Sequence, residues 1–259
     1  MYTSEDASST GGAITVSTIA SNVKNNLWPD VSNSDRILGG VMHRKVFFKN
    51  NNATDALAKP VIYTPTLPTN MTLSIGLGFN HSDDDDANEG NMTAWTANAK
   101  VALISDGTDV RTATIYGLDN SGTPAPVTEN VVLTNAVEVL SSNTYSKVWA
   151  IFLSALDGSR IVTVKQGSGG TTRGTIGQSK KGCFLWVVGP STKGSGIALP
   201  DLAAGQDYGL WERLAWSAGA SVARPNNIVV NIEEMDWCLR ESTYRCCMAV
   251  VSSCREMLG

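Results

Sequence analysis

Apolar residues alternate with small or polar residues along much of the chain, which is the pattern of a strand with one buried face. In residues 71–79, every second position from Met71 to Phe79 is apolar. Short β-branched runs then follow one another through residues 99–166, separated by turn-forming Asp-Gly and Asn-Ser-Gly sequences. Strands repeating at intervals of about ten residues are typical of a sandwich. The pattern therefore predicts an all-β fold, a β-sandwich of immunoglobulin-like or jelly-roll-like type.

Further strands are predicted on both sides of this region. Residues 59–65, KPVIYTP, contain prolines, which cannot donate to a strand ladder and so favour an edge strand over a central one. Residues 183–189 and 208–219 also have strand character. Residues 226–237 alternate, and we expect them to form the last strand.

The two ends of the chain differ from this strand-rich body. Residues 1–40 begin with a polar stretch, and we expect an N-terminal arm and docking segment. The body then spans residues 41–235, with a subdomain boundary near residues 80–98 as one interpretation. In the tail, residues 236–259, apolar side chains recur at helical spacing and predict a short C-terminal helix. Its stripe consists of Cys247, Val250, Val251, Cys254 and Leu258.

Two features that could bind ligands have simpler structural interpretations. Residues 167–182 are rich in glycine, but they match neither GxGxxG nor GxxxxGK[ST], and no helix pattern follows. We expect a flexible loop or hairpin tip there. The aromatic residues of the strand region are interpreted as core packing rather than as a ligand shelf. They are Tyr116, Tyr145, Trp149 and Phe152.

Composition narrows the class of protein. Charged residues make up 17% and hydrophobic residues 42% of the 259 residues, which indicates a globular chain with surfaces that meet other subunits. The net charge of -4 gives no basic footprint for nucleic acid. No apolar run approaches the ~20 residues of a membrane-spanning helix, and we expect no secretory signal at the start of the sequence.

An acidic loop at Asp83–Asp86 raises the question of calcium. An EF-hand loop needs glycine at its sixth position and glutamate at its twelfth, and counting from Asp84 these positions hold Glu89 and Trp95. A solvated loop is therefore favoured over a metal site, although calcium binding stays open.

The five cysteines favour reduced side chains that serve as small apolar residues. Their number is odd and no CxxC pair is present, so neither a disulfide framework nor a zinc site is indicated. A disulfide or a metal remains the alternative for these residues. They are Cys183, Cys238, Cys246, Cys247 and Cys254.

Candidate catalytic chemistry is sparse. The chain has two histidines, His43 and His81, and contains neither GxSxG nor HExxH. No pair of acidic residues has a spacing that indicates acid–base catalysis. We therefore expect a protein that is not an enzyme and that uses no cofactor.

The most individual stretch is residues 22–49, NVKNNLWPDVSNSDRILGGVMHRKVFFK, which follows a GGAIT sequence. It resembles virion structural proteins of tailed bacteriophages, in which a similar NNL(F/W)PD(I/V)S segment leads into an RKVF-type strand. Residues 112–134 are similar to the Gly-Asp-x-x-Gly hairpins of phage immunoglobulin-like modules. Residues 216–233 resemble the closing strand pair of such proteins.

The resemblance implies a neck, collar or tail-associated protein, located in a virion that assembles in the host cytoplasm. Such a protein would form a symmetric homo-oligomer and bind other virion proteins, without catalytic residues. A capsid decoration protein, or an adhesin that presents aromatic residues and the acidic loop to a host-surface glycan, is the alternative. The resemblance places seven residues at the structural heart or at subunit contacts: Trp28, Pro29, Asp30, Arg36, Arg44, Lys45 and Phe47.

Overall fold

The computed structural model describes residues 2–4, 14–19, 28, 31–66, 70–78, 87–121, 125–219, 228–234 and 248–252. Within these ranges the chain is mostly strand, and the strands form several antiparallel sheets, so the predicted all-β, sandwich-like fold is confirmed. The strands are β1 (Tyr2–Ser4), β2 (Ile14–Thr18), β3 (Gly40–Lys49), β4 (Pro60–Thr66), β5 (Met71–Gly78), β6 (Ala99–Ser105), β7 (Thr112–Asp119), β8 (Pro126–Val132), β9 (Val139–Leu153), β10 (Val162–Gln166), β11 (Thr171–Ile176), β12 (Gly182–Phe184), β13 (Val187–Val188), β14 (Ile197–Ala198), β15 (Asp207–Trp216), β16 (Ile228–Glu234) and β17 (Met248–Ser252). Helical turns are α1 (Asn33–Leu38) and the 3-10 turns Ala87–Glu89 and Lys193–Ser195.

Three sheets can be distinguished among the described strands. Sheet 1 has the order β13, β5, β15, β3, β1, β2. Sheet 2 has the order β11, β10, β6, β9, β7, β8, and β12 pairs with β9. Sheet 3 has the order β14, β4, β16, β17. All the strands of sheet 2 come from one continuous part of the chain, whereas sheets 1 and 3 combine strands from both sides of it.

Strands β3 and β15 form the centre of sheet 1. They pair antiparallel over their full lengths, from Lys49 opposite Asp207 to Gly40 opposite Trp216. β15 also pairs with β5 along its other side. The apolar alternation from Met71 to Leu77 thus lies on β5, next to the central pair, whereas Phe79 lies outside the described residues. The expectation of a single buried face is wrong here, since Ser74 and Gly76 are buried as well.

Two apolar cores hold the sheets together. The first contains residues of all three sheets, including Val46, Leu73, Leu210, Ile62, Ile197, Trp149 and Phe184. The second lies within sheet 2 and includes Val101, Ile115, Ile151, Val164 and Cys183. Sheets 1 and 2 meet where β5 contacts β9 and β12. At this contact the ring of Phe184 fills the space that a side chain at Gly76 would need, so the missing side chain allows close packing.

Only the start of the glycine-rich stretch, residues 167–170, forms the predicted hairpin tip, because residues 171–176 form β11 and Gly182 begins β12. β10 and β11 pair antiparallel, and the turn between them places Gly167 and Gly169 at positive φ of 80° and 59°. Glu138 fixes the tip, since its carboxylate accepts hydrogen bonds from Ser168 Oγ at 2.6 Å and from the Gly169 amide at 3.0 Å.

The prediction of a C-terminal helix is wrong for residues 248–252, which form strand β17. β17 pairs with β16, from Ile228 opposite Ser252 to Ile232 opposite Met248. The adjacent Val250 and Val251 are β-branched and favour a strand once a partner strand is present, which outweighs the helical spacing. β17 also means that residues 226–237 do not contain the last strand. Cys247, Cys254 and Leu258 lie outside the described residues.

The described strands of the predicted N-terminal arm and docking segment pair within their own chain. β1 pairs with β3, with Tyr2 opposite Phe47, and β1 pairs in turn with β2. The described strands of this region therefore extend sheet 1 of their own chain. The pairing satisfies backbone groups at the edge of β3, which an arm reaching a neighbour would leave open.

Candidate assembly surface

Trp28 and Arg44 link the N-terminal segment to β3. Trp28 is buried and belongs to the first core. The Cζ atom of Arg44 lies 5.6 Å from the centre of the Trp28 ring, a cation–π distance. Burial of the Arg44 side chain lowers its pKa through desolvation. Pro29 and Asp30, the other predicted residues of this segment, lie outside the described residues.

Lys45 and Phe47 are buried inside the chain. The Lys45 Nζ atom lies 5.1 Å from the centre of the Phe47 ring and 6.0 Å from that of Trp211, its opposite residue on β15. Aromatic ring faces around a buried ammonium group partly replace its hydration. Both residues therefore lie at the structural heart of the fold, one of the two roles implied for them, and not on its surface.

The short helix α1 carries an exposed apolar pair. Ser32 caps the helix by accepting a hydrogen bond from the Asp35 amide at 3.1 Å, and Gly39 ends it at φ 75°. The predicted residue Arg36 is half-buried and donates from Nη2 to Asn33 Oδ1 at 2.7 Å. None of the helical residues is buried, and Ile37 and Leu38 are 69% and 77% exposed.

Val41, at the start of β3, continues this apolar surface and is 52% exposed. We name Ile37, Leu38 and Val41 the apolar ridge. Leu38 and Val41 line one groove of about 340 Å³ together with residues of β5 and β15. The Trp216 indole N–H donates to the Asp35 carbonyl at 3.0 Å, which ties α1 to the end of β15. The ridge is therefore attached to the rigid centre of sheet 1.

Glu212, the residue opposite Arg44 on β15, is an unusual carboxyl group inside sheet 1. Its side chain is buried, and neither carboxyl oxygen has a hydrogen-bond partner. Because desolvation disfavours the charged form, the pKa of Glu212 rises to about 7. The neighbouring inward positions on its strand, Leu210 and Leu214, belong to the first core. At neutral pH this part of the core therefore contains a carboxyl group close to its titration point.

Asp109 and Arg111 form a contrasting, hydrogen-bonded pair in the turn between β6 and β7 of sheet 2. Arg111 donates to the Asp109 carboxylate from Nη2 at 2.6 Å and from Nε at 3.0 Å. Desolvation alone would raise the pKa of Asp109, but the side-chain and backbone hydrogen bonds from Arg111 outweigh it and lower the pKa below its usual value. This pair anchors the turn between β6 and β7 and has the features of a structural contact.

The described ranges contain no group of three or more His, Cys, Asp or Glu residues placed to hold a metal ion. The loop Asp83–Asp86 lies outside these ranges, as do Cys238 and Cys246. Cys183 is a free, buried thiol in the second core, which agrees with its predicted use as an apolar residue. Burial raises the pKa of its thiol, so the residue is kept uncharged.

The predicted core role of the strand aromatics is confirmed. Tyr145, Trp149 and Phe152 are buried, and Tyr116 packs against the first core with its ring centre 5.8 Å from that of Phe152. Sequence reasoning missed the apolar ridge. The adjacent Ile37 and Leu38 immediately before Gly39 were its visible signal, since two consecutive apolar residues of such a short helix are difficult to bury together.

No known protein family, curated protein or solved structure matches this chain. In the part of the chain that the structure describes, no helix combines the length and apolar character that crossing a bilayer requires.

Proposed function

We propose that this chain is a structural component of a tailed phage particle, in the neck, collar or another tail-associated position, which associates with copies of itself and binds other virion proteins. The observation that carries the self-association is the apolar ridge, with Ile37 and Leu38 69% and 77% exposed. The phage assignment rests on the resemblance of residues 22–49, the segment that contains all three residues of this ridge. In this proposal the protein acts in the virion, without a cofactor and without catalysis.

The ridge has the physical character of a contact surface. Exposing adjacent large apolar side chains to water is unfavourable, and contiguous exposed apolar groups on a folded protein typically mark sites of association. Gly39 and the Trp216–Asp35 hydrogen bond fix the position of α1, so little ordering is needed on contact. A second copy of the chain is the occupant that we propose, in agreement with a symmetric homo-oligomer.

The electrostatics are compatible with assembly. Charged residues are only 17% of the chain, and a surface lean in charge loses little solvation when subunits meet. Stable interfaces of this type bury about 2,000 Å² or more in total. The ridge would be the apolar centre of such an interface, with the polar Asn33–Arg36 face of α1 at its rim.

The test is the mass of the protein in solution, measured by light scattering across a concentration series. We expect a closed oligomer for the wild type. The dissociation constant of the oligomer is expected to rise about tenfold or more in the Ile37→Ser/Leu38→Ser variant. The reason is that burying each such side chain in the interface contributes about 1.5–3 kcal/mol.

Val41→Ser and Val110→Ser provide a matched comparison, since both replace an exposed valine. Val110 is 71% exposed and belongs to the turn between β6 and β7 of sheet 2, whereas the ridge belongs to α1 and sheet 1. Only Val41→Ser should weaken association. A monomer at every concentration, or equal effects of the two valine variants, would contradict the proposed self-association.

A further inference from the structure

A second groove is lined by tryptophans and shares no residue with the apolar ridge. It has a volume of about 330 Å³ and combines residues of β9 in sheet 2 with β13, the edge strand of sheet 1. We name it the tryptophan groove. The lining residues used below are Trp95, Lys147, Trp149 and Trp186. The assembly surface proposed above uses none of them.

Trp186 is held rigidly at one side of the groove. Its ring packs edge-on against Phe184, with the ring centres 5.0 Å apart. The Cζ atom of Arg213 lies 4.9 Å from the centre of the Trp186 ring, and the His43 ring lies 5.9 Å away. Gly90 supplies the space for the indole, since a side chain there would overlap it. Trp186 is half-buried, so the groove has a partly exposed aromatic wall that is already in position.

The indole nitrogens of two other lining tryptophans have no hydrogen-bond partner, and only Trp95 is exposed enough to reach a bound molecule. The Nε1 atoms of Trp95 and Trp149 are shielded from water and have no acceptor. Trp149 is only 3% exposed, whereas Trp95 is half-buried. A buried indole N–H without an acceptor is unfavourable, and most native structures supply one. A hydroxyl or carboxylate oxygen of a bound molecule would be a suitable acceptor after a small side-chain adjustment.

The ionisable side chains at the groove are basic. Lys147 is the only residue with an ionisable side chain among the described lining residues, and its Nζ atom lies 5.4 Å from the centre of the Trp149 ring. Arg213 and His43 flank Trp186. No carboxylate stands among these residues to offset Lys147. The groove therefore complements an anionic group more closely than a neutral or cationic one.

We propose that the tryptophan groove binds an acidic saccharide, whose sugar rings carry carboxylate or phosphate groups. The face of an indole ring has negative partial charge, and it attracts the polarised C–H bonds of a sugar ring. The hydroxyl groups offer an acceptor to the indole N–H of the half-buried Trp95, and Lys147 pairs with the acidic group.

A peptide of the same charge fits less well. Strand addition requires a longer open edge than the two residues of β13. The proposal does not depend on where the protein assembles, because the groove is complete within a single chain.

The experiment titrates the full chain with three acidic sugars and their neutral counterparts, and follows tryptophan fluorescence and heat of binding. The pairs are oligogalacturonate with galacto-oligosaccharide, sialyllactose with lactose, and mannose phosphate with mannose. We expect at least one acidic probe to bind with a change in fluorescence, and its neutral counterpart to bind about tenfold more weakly. A tetraglutamate peptide should not bind or compete.

Variants locate the binding. Lys147→Met keeps the apolar stem that covers Trp149 but removes the charge. It should weaken binding of the acidic probe about tenfold, to the affinity of the neutral sugar. Lys100→Met, which alters an exposed lysine of β6, should leave the affinity unchanged. Trp95→Phe should weaken binding severalfold by removing one donor while keeping a ring. Circular dichroism and thermal unfolding establish that each variant is folded before its affinity is compared.

Four outcomes would overturn the proposal. They are absence of binding by every acidic probe at millimolar concentration, equal affinity for acidic and neutral members of each pair, wild-type affinity in the folded Lys147→Met variant, and preferential binding of tetraglutamate. The oligomer measurements do not enter this test, so the two proposals can fail separately.

Discussion

The guanidinium carbon of Arg44 lies 5.6 Å from the centre of the Trp28 ring, so a residue of the N-terminal segment covers the middle of β3. Trp28 belongs to the first core. We expect Trp28→Ala to lower the free energy of unfolding by about 3–5 kcal/mol, because the substitution leaves a cavity and removes the cation–π contact. Urea unfolding followed by circular dichroism measures this loss.

Trp28→Phe is the control for this prediction. The indole nitrogen of Trp28 has no hydrogen-bond partner, so phenylalanine removes no bond and retains a ring beneath Arg44. Its effect should be much smaller than that of alanine. Unchanged unfolding of Trp28→Ala would show that the segment contributes no stability.

Gly76→Ala tests the contact between sheets 1 and 2. A methyl group at this position overlaps the Phe184 ring, which would have to move within a packed core. We therefore expect the free energy of unfolding to fall by about 1–3 kcal/mol. Gly194→Ala is the matched control, because nothing lies within 4 Å of the added methyl group there. Similar melting temperatures for the two variants would argue against the close approach of β5 and β12.

The carboxyl group of Glu212 predicts a dependence of stability on pH. Its pKa is about 7 in the folded chain against an ordinary value of 4.5, so the folded state retains the proton that the unfolded state releases. Its stabilising contribution is fully present below pH 4.5 and is lost as the pH rises through about 7. The total change in the free energy of unfolding is on the order of 3 kcal/mol.

Two variants isolate this effect in unfolding experiments from pH 4 to pH 8. Glu212→Gln should remove this part of the pH dependence, because its amide does not titrate. Glu212→Leu should be more stable than the wild type at pH 8, since it places no charge among Leu210 and Leu214. An identical slope in wild type and Glu212→Gln would assign the dependence to other groups.

Asp109→Asn should have the opposite pH behaviour. Hydrogen bonds from Arg111 hold the pKa of Asp109 below its usual value, so the pair stabilises the fold above the unfolded pKa and loses this effect as pH falls through the folded pKa. At pH 7 the free energy of unfolding of the variant should be about 1–3 kcal/mol lower than that of the wild type, because Arg111 is left without its charged partner. The difference from wild type should shrink towards pH 3. A difference that stays constant with pH would exclude this mechanism.

Calcium distinguishes the structural role from the adhesin alternative. If Asp83–Asp86 binds calcium as an adhesin loop would, calcium should raise the melting temperature and a chelator should lower it. For the structural role we expect no change. A variant with all four aspartates replaced by asparagine serves as the control in the same melting experiment.

The strands were predictable where apolar residues alternate with small or polar residues along the sequence. Alternation identified β5, and the runs around Trp211 and Ile228 correspond to β15 and β16. The prolines near β4 were misleading, because β4 lies between β14 and β16 in sheet 3. Its pairing with β16 passes directly from Tyr63 to Thr66 across a register shift. Pro65 lies within this register shift, so its lack of a backbone N–H interrupts no regular pairing between β4 and β16.

The pairing of strands and the candidate sites could not be predicted in the same way. Nothing local in residues 40–49 specifies β15 as their partner, since pairing depends on the whole set of apolar faces. The helical spacing in the tail was real, but a neighbouring strand decided the conformation of residues 248–252. The tryptophan groove joins Trp95, Trp149 and Trp186, which are far apart in sequence, and only the packing of sheets 1 and 2 brings them together.

The pairing of β3 with β15 has a consequence during synthesis. Residues 50–206 separate the two strands, so β3 emerges from the ribosome long before its central partner exists. At ~5–20 residues per second this delay is on the order of ten seconds. All the strands of sheet 2 are made within this interval, from nearby segments, and can fold first. Until β15 is made, the apolar residues Val46, Phe47 and Phe48 of β3 lack their central partner strand. Sheet 1 therefore closes late in synthesis, shortly before β16 can pair with β4 in sheet 3.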